Sequence, residues 1–484
     1  MQFVLSKNGW LQLGSLALFI FLWAANPFGL QPLAQKAVAC AGLMVALWVT
    51  EALPMAVVSL MPIVLFPLLG ICSTADAAAP YANPAIFLFM GGFMIGLAIE
   101  KWELHRRIAL NVVKFTGTSG NHIILGFILA TGFLSMWLSN TATTMMMYPI
   151  AISVVQVLER NRENDAAIRN MGICLLLSIA YASNFGGIAT IIGTPPNVSY
   201  TAFLKKTYGY SFQFADWMII GVPISIILMF TLYWVMTRVL YRNQIKSNAA
   251  ARQVIQHELQ QLGRMSVPEK RVLVIFCLTA FLWIFKDFIN AKLHTSFDDN
   301  LIAVMGAILL FAMPSGDTKG IGRQLLEWTD THKMAWGILL LFGGGISLAN
   351  QLDEVGIIDS LGKWMAASAG SNLFVLVLVI TLVSIFVSEI LSNVAQVIVF
   401  APVLAGMADA MQLDPLMLAT PMVLAASCAS MLPMGTPPNA IVFASGRLRL
   451  TDMIKTGLVM NLIAVILITL FCYYLLPYAV AHIR

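Results

Sequence analysis

Charge is scarce in this sequence. Only 11% of its 484 residues are Asp, Glu, Lys or Arg, against about a quarter in an ordinary soluble domain. No long polar region exists that would fold on its own. The longest, 242–271, is roughly thirty residues, too short for a soluble domain. The six cysteines (Cys40, Cys72, Cys174, Cys277, Cys428, Cys472) are scattered through apolar runs with no CxxC pair. A disulfide framework or zinc site is therefore not expected, and the cysteines read as small core residues. There is no HExxH, GxSxG or phosphate-loop motif, and the six histidines are dispersed. Metallohydrolases, serine hydrolases and nucleotide-driven enzymes have no footing here. The chain is expected to be no enzyme, to use no organic cofactor and to bind no nucleic acid.

What is present is apolar sequence. Hydrophobic residues make up 59% and the mean hydropathy is +0.83. Runs of roughly 20 apolar residues recur from end to end, the pattern of a multi-pass membrane protein in contact with lipid. Eleven crossings are predicted, near 10–27, 36–50, 53–70, 84–103, 170–192, 215–240, 271–290, 300–313, 335–350, 416–434 and 453–480. The run from Trp10 to Trp23, followed by Ala24-Ala25-Asn26, reads as an uncleaved first helix. Two further segments, 121–157 and 371–408, carry Ser-Asn at their middles. Each half is about 16 to 18 residues, short for a full crossing at 1.5 Å per residue. Each segment therefore reads as a re-entrant hairpin with a polar tip at membrane depth.

Lysine and arginine orient this topology. With the N-terminus cytoplasmic, 21 of the 28 basic residues fall inside, including all seven from Arg238 to Arg271, and 7 fall outside, among them Lys205, Lys206, Lys286 and Arg484. That asymmetry follows the positive-inside rule and places the C-terminus outside.

The chain is also duplicated. Phe89-Met90-Gly91-Gly92 matches Leu341-Phe342-Gly343-Gly344, Ser139-Asn140-Thr141 matches Ser392-Asn393-Val394, and Gly193-Thr194-Pro195-Pro196-Asn197 matches Gly435-Thr436-Pro437-Pro438-Asn439. Five crossings and one hairpin separate equivalent points, so the halves are inverted in the membrane. Inverted repeats interrupted at matching places point to a transporter's binding site.

Two chemistries suit the interruptions. Free N–H groups at a helix start, joined by Asn and Thr donors, favour anions. Two inverted tips, with Asn140 and Thr141 in one and Asn393 and Val394 in the other, suit a ligand with a carboxylate at each end. Helix capping by the same residues is the plainer reading. The turns also suit small cations. Ser135 and Ser388 lie four residues before Ser139 and Ser392, on the same helix face. Ser135, Ser139 and Asn140, with carbonyls near Gly193, form one oxygen set. Ser388, Ser392 and Asn393, with carbonyls near Gly435, form the other. A serine bonded back to its own helix is the alternative. The Pro-Pro pairs predict helix breaks at Gly193 and Gly435, with Thr194, Pro195, Thr436 and Pro437 beside the anion and Asn197 and Asn439 satisfying the broken backbone or reaching the site. Glu389, three residues before Ser392, either tunes the second cation site or responds to pH, or else faces a water-filled cavity. Glu51 and Glu100 read as interfacial.

The stretch Ser183-Asn184-Phe185-Gly186-Gly187-Ile188-Ala189-Thr190-Ile191-Ile192-Gly193-Thr194-Pro195-Pro196-Asn197, with Ser-Asn-Thr-Ala-Thr-Thr at 139–144, resembles the divalent anion/sodium symporter family, which includes the INDY di- and tricarboxylate transporters. The resemblance covers nearly the whole chain. It implies an all-α membrane protein of eleven helices and two re-entrant hairpins, a homodimer embedded in lipid, and an elevator movement. Residues 1–120 and 243–370 would form the scaffold, and 121–242 and 371–484 the moving part. It also implies sodium-coupled uptake of a di- or tricarboxylate across a bacterial inner membrane, with substrate and sodium held at 139–141 and 392–394. The second triad departs from the family pattern by ending in Val394 rather than threonine, which puts the choice of carboxylate in doubt. A sodium-independent dicarboxylate exchanger of the same fold is the competing expectation.

Overall fold

The computed structural model describes residues 7–117, 119–160, 165–210, 212–242, 249–317, 323–368 and 372–483. Arg162, Lys246, Lys319 and Arg484, all part of the charge asymmetry, lie outside the described residues. The described elements are helices, as the composition predicts.

The first two helices, Lys7–Ala25 and Pro32–Thr50, pack on each other. The expected crossing at 53–70 is split into Met55–Val58 and Met61–Leu68. Proline at 62 and 67 lacks the N–H that an uninterrupted ladder needs. Pro84–Lys101 follows, then the amphipathic Leu104–Thr116. Later come Phe214–Trp234, Val267–Leu293, Asp299–Ala312, Trp336–Glu354 and Leu450–Tyr474. Lys286, counted above among the outside basic residues and within the predicted crossing 271–290, lies in Val267–Leu293 and is buried. Its ammonium lies 2.6 Å from Asp299, whose other oxygen accepts from Phe214 N at 2.6 Å. A buried ammonium requires such a partner. The pair ties three helix segments together. Among the cysteines, Cys40, Cys174, Cys428 and Cys472 are buried as expected, but Cys277 is exposed.

Both hairpins form. Gly120–Ser135 and Asn140–Arg160 are the limbs of the first, Leu373–Ser388 and Asn393–Ala410 those of the second. Each is followed by a broken helix: Asp165–Gly187 and Pro195–Tyr208 after the first, Pro415–Ala426 and Pro437–Phe443 after the second. The breaks lie earlier than the Pro-Pro pairs suggest. The helices end at Gly187 and Ala426, not at Gly193 and Gly435. Pro195 and Pro437 instead begin the next helices, where a missing N–H leaves nothing unpaired.

The two halves interlock. Asn140–Arg160 packs against Pro437–Phe443 of the other half, and Asn393–Ala410 against Pro195–Tyr208. The first unwound segment, 188–194, is buried throughout, whereas the second is buried at 427–430 and 435–436 and surfaces at Met434. Their loose backbone groups are matched. Asn197 Nδ2 donates to the carbonyls of Gly187, Ile188 and Thr190. Asn439 Nδ2 donates to those of Ala429 and Leu432. Both asparagines are fully buried, so they serve the broken backbone.

The first broken helix meets the first hairpin backbone to backbone at Gly186. A Cβ there would stand 2.3 Å from Gly132 O. Gly186→Ala therefore forces two main chains apart and is expected to cost about 1–3 kcal/mol, read as a lower melting temperature in detergent. Gly14→Ala, where a Cβ meets nothing within 4 Å, is expected to leave that temperature unchanged or slightly raised.

Candidate functional site

The first hairpin tip runs from Ser135 to Asn140. Ser139 Oγ accepts from Ala142 N at 3.2 Å, so the expected cap on the second limb is present. Trp137 anchors the tip, stacked on Phe214 and edge-on to Phe276. Asn140 stands among oxygens. Ser135 Oγ is 2.6 Å from its amide oxygen. Turned over, the same amide donates to Ser183 O at 3.0 Å, Gly193 O at 3.3 Å and Ser135 Oγ at 2.6 Å. A Cβ on Gly193 would lie 2.5 Å from Gly187 O and 3.0 Å from Ser135 O, which shows how closely these carbonyls gather. Ser135, Asn140 and Gly193 are thus brought together, joined by Ser183 and Gly187. Thr190 ties the turn to the tip: its hydroxyl donates to Met136 O at 2.5 Å and accepts from Gly193 N at 3.0 Å.

The second tip is built differently. Ser388 Oγ donates to Gln396 Oε1 at 2.6 Å instead of meeting Asn393. Gln396 Nε2 donates to Ser384 Oγ at 2.6 Å and to Ser384 O at 3.1 Å, and Ser384 Oγ donates to Met422 O. Asn393 Oδ1 is buried without a hydrogen-bond partner among the described residues. Ser392 starts the second limb without a side-chain cap. Val394 is half-buried and packs among apolar side chains. Thr141 is also half-buried.

Glu389 is 3% exposed. Its Oε1 accepts from Ser430 N at 2.8 Å, Met431 N at 2.7 Å and Asn461 Nδ2 at 2.7 Å, and its Oε2 from Leu432 N at 2.8 Å. The reading of Glu389 as a solvated group in a water-filled cavity is not what the structure places there. The carboxylate holds the unwound segment 427–435 in shape, and Gly435 abuts it, since a Cβ there would be 2.8 Å from Oε2. Three backbone N–H groups and one side-chain amide thus occupy both carboxyl oxygens, leaving neither unmatched in the core.

Thr194 and Thr436 are both buried, yet among the described residues only the hydroxyl of Thr436 finds a partner. That hydroxyl accepts from Asn439 N at 3.4 Å and from Asn184 Nδ2 at 3.1 Å. Asn184 in turn approaches Asn140 at 3.5 Å. The chain Asn140, Asn184, Thr436 runs from the first tip to the second break. Pro195 is half-buried and Pro437 exposed. Sequence reasoning passed over Asn184, Gln396, Thr190 and Asn461. Asn184 carried a signal, because Ser183-Asn184 repeats the Ser-Asn of the two tips. Gln396 and Asn461 carried none, since each meets its partner only through the packing of separate helices.

The transmembrane region of the sodium:sulfate symporters matches residues 7–477. A protein of Staphylococcus saprophyticus, the sodium-dependent dicarboxylate transporter SdcS, is 39% identical over 438 residues, covering 89% of this chain and 84% of its own. Its namesake in Staphylococcus aureus strain USA300 is 38% identical over 435 residues with the same coverage. The crystal structure of the Alcanivorax borkumensis YdaH transporter superposes with a TM-score of 0.59 over 96% of this chain and 97% of that one, at 13% identity, a likeness of fold. With the family's pattern spanning both hairpins and both broken helices, the chain belongs to the sodium:sulfate symporter transmembrane family of multi-pass membrane transporters and is not an enzyme.

Proposed function

We propose that this protein carries dicarboxylates across the plasma membrane together with sodium ions, with its N-terminus in the cytoplasm and its C-terminus outside. The observation that carries the reading is the oxygen cage at the first tip. Ser135, Asn140, Gly187 and Gly193 converge there. When the Asn140 amide donates, it satisfies the carbonyls of Ser183 and Gly193. Turned over, its oxygen joins theirs and the cage becomes a ligand set for a hard cation. Asn140, Thr141 and Asn393, with the helix starts behind them and Thr194, Pro195, Thr436, Pro437 and Val394 around them, form the anion site. Ser139 completes that first cation set, Ser388, Ser392, Asn393 and Gly435 form the second, and Glu389, beside Gly435, tunes it. The names of the Staphylococcus relatives, sodium-dependent dicarboxylate transporters, support both cargoes. Tricarboxylates such as citrate remain within the proposed substrate class.

The energetics favour coupling. Moving one elementary charge across the membrane costs about 2.3 kcal/mol per 100 mV, so a dianion entering a negative interior works against the potential twice. Two sodium ions cancel that charge, and a third makes uptake inwardly driven. The transfer proceeds by an elevator movement within a homodimer. Residues 121–242 and 371–484, interlocked through their hairpins and Pro-Pro helices, shift as one body against 1–120 and 243–370.

Asn140→Ala and Asn393→Ala are each expected to weaken dicarboxylate uptake about ten- to a hundredfold, the value of a lost hydrogen bond to a charged group, while folding is retained. Normal transport by both variants would put the anion site elsewhere. Val394→Thr restores a hydroxyl at the second tip and is expected to alter the ranking of substrates more than the maximal rate.

In proteoliposomes without internal dicarboxylate, a sodium gradient alone is expected to drive labelled succinate uptake, and potassium is expected not to replace it. Sodium and substrate should tighten each other by the same factor. Ser135→Ala should raise the sodium concentration required, with little change in succinate affinity at saturating sodium. Uptake only into vesicles preloaded with dicarboxylate, whatever the sodium gradient, would instead establish exchange.

A further inference from the structure

Below the first tip lies a cavity of about 100 Å³, lined among others by Gly92, Gly96, Glu100, Ser139, Ala142 and Lys333. It touches the proposed binding site directly, through Ser139. Gly92, Gly96 and Glu100 recur every fourth residue along Pro84–Lys101, so they share the face turned to the cavity. Glu100 and Lys333 are exposed, and the cavity meets solvent where they stand. Neither has an ion-pair partner among the described residues.

The turn that carries Lys333 is held in place. Lys333 ends the short turn Trp328–Lys333. Asp330 of that turn pairs with Lys101 at 2.6 Å, Trp102 Nε1 donates to Leu325 O at 2.7 Å, and Trp336 Nε1 donates to Thr331 O at 2.9 Å. Lys101 and Trp102 close the same helix that supplies Gly92, Gly96 and Glu100. The base of Lys333 and the cavity wall are therefore one unit.

We propose that Lys333 and this cavity form a second anion site, on the cytoplasmic side, that receives the dicarboxylate between the first hairpin tip and the cell interior. The inference rests on the reading of the protein as a dicarboxylate carrier. Its placement on the cytoplasmic side follows from the distribution of Lys and Arg. At the tip the dianion is held by neutral donors and helix starts. On leaving, it needs an opposite charge before it is fully hydrated, and Lys333 is the basic residue lining the route. Glu100, on the facing wall, repels the dianion and steers it toward Lys333, while it favours the departing sodium.

The test measures half-saturating concentrations of labelled succinate from each face, in right-side-out and inside-out vesicles. Lys333→Gln should raise the cytoplasmic-face value about two- to fivefold, the size expected of an exposed charge pair. The effect should shrink with added choline chloride, since screening weakens it. The external-face value should not move, and Lys333→Arg should behave as the unaltered protein. Glu100→Gln should lower the cytoplasmic-face value, which keeps the test open if Lys333→Gln fails to fold. Equal shifts on both faces, a shift on the external face alone, or no shift from either variant would overturn the site. The unaltered protein in the same vesicles separates the two readings: absence of succinate transport sinks both, whereas normal transport without a one-sided shift sinks only the Lys333 site.

Discussion

A backbone carbonyl or N–H that leaves a helix inside hydrocarbon has no water to bond, and leaving it unmatched costs several kcal/mol. The centre of this protein is organised by that constraint. Two helices stop mid-core, at Gly187 and Ala426, and each loose segment is matched by a side chain from just beyond the break: Asn197 for the first, Asn439 for the second. The second break draws on two more, Glu389 and Asn461, which serve the N–H groups of Ser430, Met431 and Leu432. With these partners in place, the carbonyl of Gly193 at the first break stands 3.3 Å from the Asn140 amide.

The duplication is faithful in backbone and loose in side chains. Both halves have the hairpin, the break, the Pro-Pro start and the buried asparagine. The hydroxyl network around Ser388, Gln396 and Ser384 has no bonded equivalent at the first tip, where Ser135 turns to Asn140. A fold with two related halves needs matching backbone to interlock. Nothing requires the side chains at the two tips to match as the backbone does.

The glycines and aromatics place this machinery. Gly186 lets a broken helix press on the first hairpin, and Trp137 wedges the tip between Phe214 and Phe276. Contacts of this kind give a tip one defined position. A site made of neutral oxygens needs that, because its selectivity comes from where the oxygens stand more than from their charge.

Much of this was legible in the chain itself. Low charge, long apolar runs, Ser-Asn in the middle of two of them and repeated Gly-Thr-Pro-Pro-Asn determine a helical membrane protein with two hairpins and two breaks, because each signal is local: hydropathy, proline chemistry and spacing along one helix. Where the breaks fall was not legible. Proline marks where a helix can begin, and the end of the preceding helix was decided by packing at Gly187 and Ala426. Lys286 reads as one of the outside charges until Asp299, from the next helix, is brought beside it in the core. Glu389 reads as a lone acid until segment 427–435 wraps around it. Ser388 reads as the twin of Ser135 until Gln396 claims its hydroxyl. In each case the deciding partner lies on a different turn or a different helix, and a side chain's role in a low-dielectric core is set by what stands within hydrogen-bond reach, which only the tertiary structure supplies.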